Sequence, residues 1–355
     1  MLQFHTTDRP PSLHRHEGLM QYLESPLTPP AKLSAAELTA LSDQQRSAYD
    51  RARIIHLSGG IVIETPKLQE ARRLLTQSFA LNVARNSGHA GVMLTGDSTL
   101  GKTTSAVALM RYVYNAYKRQ FPEFRDHSRI PVAYVDVPPA STGKRLLATF
   151  AEFYGLTVTT RDSTNSLQSR VVDMINTVGT QLIVVDELHN LASRSVGAGE
   201  SVDLLKGLSN DVPATFVYAG INLTESDGVL GGARGNQIGS RFAVVKMEAL
   251  ELGYAPDRKT WQRLLAAFEA QLRLTEHETG TLNRLSDYLY GRTSGAIGSL
   301  SRLLTGAAIE AIQNPELPEQ ITEELLETRT LDHTAETRKS RTRTKYSLDD
   351  DSDFA

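Results

Sequence analysis

Gly91-Val92-Met93-Leu94-Thr95-Gly96-Asp97-Ser98-Thr99-Leu100-Gly101-Lys102-Thr103-Thr104 is the stretch that decides the fold. Its first five residues form an apolar run without alternation, as suits a strand covered on both faces. Gly96 to Thr103 then fits G-x-x-x-x-G-K-[ST], and a helical stretch, Thr104–Lys118, follows at once. That motif has meaning only at a strand-to-helix turn, and here strand, loop and helix stand in that order. The two glycines let the backbone wrap a phosphate chain. The N–H groups from Gly96, Asp97, Ser98, Thr99, Leu100 and Gly101 through Lys102, Thr103 and Thr104 converge on it. The helix N-terminus adds positive potential. Lys102 is placed for the β- and γ-phosphates, and the Thr103 hydroxyl for Mg2+. ATP and Mg2+ are therefore the expected ligands.

Working outward, three more short apolar runs follow, Val132–Val137, Leu182–Asp186 and Thr215–Ala219, separated by amphipathic stretches. Strands alternating with helices imply a parallel sheet in an α/β architecture. The middle run ends Val184-Val185-Asp186-Glu187. Two carboxylates at the end of a buried strand are costly unless a cation or water meets them. The carboxyl end of a strand is also where a parallel sheet places ligands. Asp186 is the expected Mg2+ ligand beside Thr103, and Glu187 the residue that polarises the attacking water. His189 has no partner at metal-ligand spacing and receives no role.

Composition bounds the rest. A length of 355 residues suggests roughly two domains. The absence of cysteine excludes disulfides, Cys-based zinc or iron–sulfur sites and thiol catalysis, and fits a reducing cytoplasm. No run reaches the length of a bilayer span, and Met1–Gly18 lacks the apolar core of a secretory signal, so no membrane partner is expected. Lys and Arg number 38 against 41 Asp and Glu, which excludes a strongly basic monomeric nucleic-acid binder. It does not exclude an assembly that repeats a few cations per subunit along DNA.

Four regions emerge. Residues 1–50 are an arm and a helix. The first thirty, with Pro10, Pro11, Pro26, Pro29 and Pro30, read as extended and weakly ordered, and Ser34–Glu37 is a capping box opening a helix toward Arg53. Residues 51–250 are the ATP-binding core, entered through a helix that starts at Thr65-Pro66 and runs to about Val83. Residues 251–330 are all-helical, with Trp261, Leu264, Leu265 and Phe268, then Leu282, Leu285 and Leu289, then Leu300, Leu303 and Leu304 at helical spacing. Residues 331–355 are a charged, solvated tail, basic over Arg338–Lys345 and acidic over Asp349–Asp353.

Phosphate loop, DE after a buried strand and a helical second domain together resemble the AAA+ ATPases. The resemblance implies an α/β P-loop NTPase core with a small C-terminal α-helical lid. It also implies a polar γ-phosphate sensor after the next strand, where Ala219-Gly220-Ile221-Asn222 makes Asn222 the candidate. A turn asparagine after glycine is the plainer reading, and both stand. An arginine finger from a neighbouring subunit is implied too. Arg241 in Gly239-Ser240-Arg241-Phe242 occupies its place, with Arg234 in reserve and a surface or ion-paired arginine as the alternative. Many members carry a sensor arginine early in a lid helix, whereas this chain has Gly298 there.

More narrowly, the chain resembles the TniB/TnsC group of transposition ATPases. The features are Thr65-Pro66, the phosphate loop, Val184-Val185-Asp186-Glu187-Leu188-His189-Asn190-Leu191, the strand ending Ala219-Gly220-Ile221-Asn222-Leu223, the Arg241 segment and Thr293–Leu304. They cover roughly residues 50–310 in order. The resemblance implies an ATPase that polymerises as rings or filaments on double-stranded DNA and recruits or activates a DDE-type transposase, with a TniQ-like target-selection protein as a further partner. Pro138–Arg145 faces the pore in that group, so Thr142, Lys144 and Arg145 are candidate DNA contacts. An ordinary helix cap with solvated cations is the equal alternative. Two other functions compete. A helicase-loader or initiator-like ATPase calls for a winged-helix or helix-turn-helix domain, and none is clear after residue 250. A nucleotide-gated scaffold with little hydrolysis fits poorly with intact Lys102, Asp186 and Glu187.

Overall fold

A computed structural model describes residues 12–25, 28–59, 61–191, 198–225, 228–231 and 239–331. They divide into two compact units: residues before 27 group with 66–247, and residues 27–65 group with those from 248 onward. Residues 51–65 thus group with 27–50 and the helices after 248, and the chain crosses between units more than once. The charged tail and Arg234 lie outside the described residues.

The first unit is built on five parallel strands, β1 (Gly91–Thr95), β2 (Val132–Asp136), β3 (Leu182–Asp186), β4 (Thr215–Gly220) and β5 (Phe242–Lys246), in the order β2-β3-β4-β1-β5. β1, β3 and β4 are buried at every residue, which is why their sequences do not alternate. β5 lies at one edge and is less buried, with Val244 and Lys246 exposed. The chain leaves β1 for the far edge, returns through β3 and β4, then passes β1 to reach β5. β1 thus lies where the strand order reverses, the place where open α/β sheets bind ligands beyond their carboxyl ends.

Around the sheet lie α1 (His16–Glu24), α4 (Pro66–Asn82), α5 (Lys102–Gln120), α6 (Gly143–Phe153), α7 (Thr164–Val178) and α8 (Ala198–Asp211); α2 and α3 belong to the other unit. α1 corrects the reading of the first thirty residues as a weakly ordered arm. Leu19 and Leu23, four apart, are buried on the unit. Arg111 on α5 donates to the carbonyls of Tyr22, Leu23 and Ser25 at 2.9, 2.8 and 2.9 Å, closing the C-terminal end of α1. Prolines at the flanks hid a helix that tertiary partners complete.

The second unit contains α2 (Ala35–Thr39), α3 (Asp43–Ser58), α9 (Ala255–Glu269), α10 (Thr281–Arg284), α11 (Ser286–Thr293), α12 (Ile297–Gln313) and α13 (Glu323–Glu327). The one helix expected from Ser34 to Arg53 is two, because a second capping box, Ser42 with Gln45, restarts it. Trp261, Leu264, Leu265, Phe268, Leu300, Leu303 and Leu304 form its core as their spacing predicts, joined by Leu57 of α3. Arg53, fully buried, explains why α3 lies in this unit. Its guanidinium donates to Glu319 at 2.6 and 3.0 Å, to Asp50 at 2.5 Å and to the Arg273 carbonyl at 3.1 Å.

This unit also holds a buried histidine. His277 accepts the Ile321 N–H at Nδ1, 3.2 Å, and its Nε2 faces Glu269 at 3.0 Å. Burial lowers its pKa below the ordinary 6.5, and Glu269 opposes that without cancelling it. For Glu319 and Glu269 burial acts upward, but the Arg53 bonds and two backbone N–H groups respectively outweigh it and hold both carboxyls below 4.5. All three groups bind a proton more readily unfolded than folded. Their stabilisation is present above the unfolded values and is lost as pH falls, His277 first and the carboxylates later. The expected result is a melting temperature that falls between pH 7 and pH 5 in the parent. It should fall less steeply over that interval in His277→Gln. Parallel profiles from calorimetry would contradict it.

Candidate nucleotide site

The loop after β1 is shaped by its glycines. At Gly96, φ is +152°, and a Cβ there would sit 2.1 Å from the Met247 carbonyl oxygen. Met247 N–H in turn donates to the Thr95 carbonyl at 2.7 Å, so the loop springs from a tight corner. Thr99 and Gly101 take positive φ of 65° and 84°, and α5 begins at Lys102. The residues between are thereby curled toward the helix N-terminus, whose free N–H groups suit an anion. Lys102 is 7% exposed, and its ammonium donates to the Asp97 carbonyl at 2.6 Å. Burial pushes its pKa down, while Glu187, Asp186 and Asp97 act in the opposite direction. Thr103 and Thr104, on the first turn of α5, are exposed beside it.

β3 brings the carboxylates to the same edge. Asp186 is 1% exposed. Its Oδ2 accepts from the Tyr134 hydroxyl at 3.1 Å and its Oδ1 from the Glu187 N–H at 2.8 Å. Burial and then the neighbouring Asp186 push the Tyr134 pKa far up, so that hydroxyl stays a donor. Asp136 on β2 pairs in register with Asp186, and its buried Oδ1 has no hydrogen-bond partner. Burial and Asp186 raise its pKa. An acidic edge with an orphaned oxygen suits a hard cation. Among the described residues no three His, Asp or Glu side chains are arranged to hold a metal alone.

Glu187 has φ +53°, which turns its half-exposed side chain away from the strand direction. Across the edge, Asn222 follows β4 with φ +46° and an exposed side chain. The next N–H, of Leu223, donates to Thr95 Oγ1 at 3.0 Å, fastening that turn to the end of β1. Sequence reasoning missed Tyr134, which lies on the same face of β2 as Asp136. Only the pairing of β2 with β3 makes its role legible.

Arg241 is not part of this constellation. Its carbonyl accepts from the Gly91 N–H at 3.3 Å, at the start of β1. Its guanidinium donates to Asn210 Oδ1 at 2.9 Å, and that oxygen also accepts the Gly88 N–H at 3.2 Å. At about 3.3 Å per residue, the opposite ends of β1 lie roughly 13 Å apart. Arg241 thus faces away from the phosphate loop of its own chain. Thr142 caps α6 by accepting the Arg145 N–H at 3.3 Å. Lys144 reaches the Thr160 carbonyl at 3.4 Å, and Arg145 pairs with Glu152 at 3.2 Å, both half exposed. Such pairs hold their cations weakly. In the helical unit, Gly298 lies in the first turn of α12. The buried Arg292 is engaged by the carbonyls of Leu326 and Arg329 at 2.9 and 2.7 Å.

Solved structures with this fold include the Aeropyrum pernix Orc1 protein in complex with DNA, at 16% identity and a TM-score of 0.55 over 78% of this chain and 68% of that one. The Aeropyrum pernix Orc2 protein, in ADPNP–ADP complexes, matches at 18% and 0.56 over 78% and 70%. Cdc6p from Pyrobaculum aerophilum matches at 15% and 0.50 over 76% and 72%. At these identities the likeness establishes the fold, an AAA+ P-loop core. No protein of curated function matches the sequence. The model of the family described as "Bacterial TniB protein" matches residues 53–252, more than half of the chain. With an AAA+ fold and that match, the chain belongs to the TniB family.

Proposed function

We propose that this protein binds ATP with Mg2+, hydrolyses it, and assembles in many copies on double-stranded DNA to recruit or activate a transposase. The observation that carries the reading is the separation of Glu187 and Arg241 to opposite edges of one sheet. Each chain then offers a nearly complete site at one edge and the missing cation at the other, so sites complete themselves between copies. Lys102 leaves the Asp97 carbonyl for the β- and γ-phosphates, and the loop from Gly96 to Thr104 wraps them. Thr103 and Asp186 hold Mg2+, with Tyr134 fixing the Asp186 carboxylate. Bound there, Mg2+ neutralises phosphate charge. Glu187 orients water and takes its proton, Asn222 senses the γ-phosphate, and Arg241 of a neighbouring copy meets the charge that develops on the transferred group.

Thr142, Lys144 and Arg145 open α6 just beyond the carboxyl end of β2, and repeated along an assembly they supply phosphate contacts without base readout. Membership of the TniB family supports the transposition role, with a DDE-type transposase and a TniQ-like protein as partners. The fold shared with an Orc1 protein solved with DNA supports an initiator-like or loader-like alternative. Negative-stain imaging with ATP and duplexes of several lengths separates them. Rings or filaments that lengthen with the duplex, whatever its sequence, support the proposal. Discrete complexes on one sequence favour the alternative, and monomers under every nucleotide condition overturn assembly.

A further inference from the structure

His189 lies in the single 3₁₀ turn Leu188–Asn190 that follows β3 and Glu187. The turn lies close against the end of β4. A Cβ added at Gly220 would come 3.2 Å from the His189 backbone nitrogen, 3.3 Å from its Nδ1 and 2.7 Å from Leu223 Cδ2, so the ring packs closely on that glycine. The ring is used at both nitrogens. Ile221 N–H donates to Nδ1 at 3.3 Å, which makes Nδ1 the acceptor and places the single proton of a neutral ring on Nε2. Nε2 faces Glu187 Oε2 at 3.4 Å. One residue beyond Ile221 stands Asn222, and one further the Leu223 N–H holds Thr95 beside Gly96. Glu187, His189, the Ile221–Leu223 turn and the start of the phosphate loop therefore form one unbroken series of contacts. The ring is 27% exposed, so core packing does not account for it.

We propose that His189 is a positioning residue: it holds the Glu187 carboxylate in place for water and ties that placement to the turn that carries Asn222. Two groups touch the ring from opposite sides, a catalytic carboxylate and a backbone N–H of the turn. Movement of that turn, as when a γ-phosphate engages Asn222, shifts the ring and with it Glu187. The inference deepens the hydrolase reading of the same site and rests on it.

The test uses the full chain with ATP, Mg2+ and duplex DNA. His189→Ala is expected to lower kcat about tenfold or more, as misplacement of a general base does. ATP affinity should stay within about threefold of the parent. His189→Gln, whose amide reaches Glu187 with an N–H, should recover most of the loss. A kcat for His189→Ala within about twofold of the parent overturns the proposal. So does a loss that follows ATP affinity and melting temperature downward together without rescue by Gln, since that is a structural effect. A second measurement does not depend on turnover. Nitrogen-15 spectra of the histidine rings should show His189 as the Nε2–H form and shift it on Glu187→Gln. The Nδ1–H form, or no shift, overturns the proposal. If the parent itself does not hydrolyse ATP while those spectra are as expected, the hydrolase reading fails and the His189–Glu187 link stands.

Discussion

Arg241→Ala is expected to lower ATP turnover by about 10³-fold or more, with ATP affinity within about threefold of the parent. An arginine that reaches the transferred phosphoryl group only in the transition state contributes to kcat and little to ground-state binding. On the proposed reading the effect is intermolecular: Arg241 immediately precedes β5 beside Gly91, while the phosphate loop follows Thr95 at the other end of β1. Its guanidinium bonds the half-buried Asn210 Oδ1, which keeps the Gly88 N–H when the arginine is truncated, so the sheet should stay intact. Mixing decides the geometry. An Arg241→Ala chain keeps its phosphate loop, and a Lys102→Ala chain keeps its arginine, so mixed assemblies contain some sites with both. Turnover in the mixture above the sum of the two variants is the expected result. No gain in assemblies verified to contain both chains counts against an arginine supplied between copies.

The second large effect is at Glu187. Glu187→Gln keeps the size and the αL backbone position but removes the charge that accepts a proton, and turnover should fall by about 10²–10⁴-fold. Nucleotide binding should persist, because Lys102 and the loop after β1 hold the phosphates without it. The contrast with Lys102→Ala is diagnostic, since that change removes the ammonium now seated on the Asp97 carbonyl and should abolish binding itself. If hydrolysis dismantles assemblies on DNA, Glu187→Gln assemblies should outlive those of the parent in a nucleotide-dilution experiment. Unchanged hydrolysis removes Glu187 from the chemistry.

What was legible in the sequence follows from how local each signal is. The loop from Gly96 to Thr103 and the pair Asp186-Glu187 depend on neighbours in the chain, and the structure sets them at one sheet edge. Buried strands announced themselves as unalternating runs. β5 is a less buried apolar run that ends in Lys246, and its place in the sheet is visible only from its pairing with Gly91–Thr95. Tyr134, His189 and Thr95 make their contacts with residues of other strands and turns, so those contacts are visible only with β2, β3, β4 and β1 side by side. His189 had no ligand-spaced neighbour because its contacts are a carboxylate two residues back and a backbone N–H 32 residues on. The grouping of α3 is nonlocal in the same way: it is an ordinary amphipathic helix, and its partners, the core around Leu57 and the carboxylate of Glu319, lie more than two hundred residues on.

That Arg53–Glu319 pairing spans 266 residues and has a consequence for the nascent chain. α3 leaves the ribosome early, but its acidic partner emerges only when most of the chain has been made. At about 5–20 residues per second, the delay is roughly 13–53 seconds. During that time the nucleotide-binding sheet, whose strands all lie between them, has emerged in full. The unit built on that sheet can thus fold first, with α3 waiting as an unpaired guest. A chaperone that shields Leu57 and Arg53 during synthesis should raise the yield of the second unit more than that of the first.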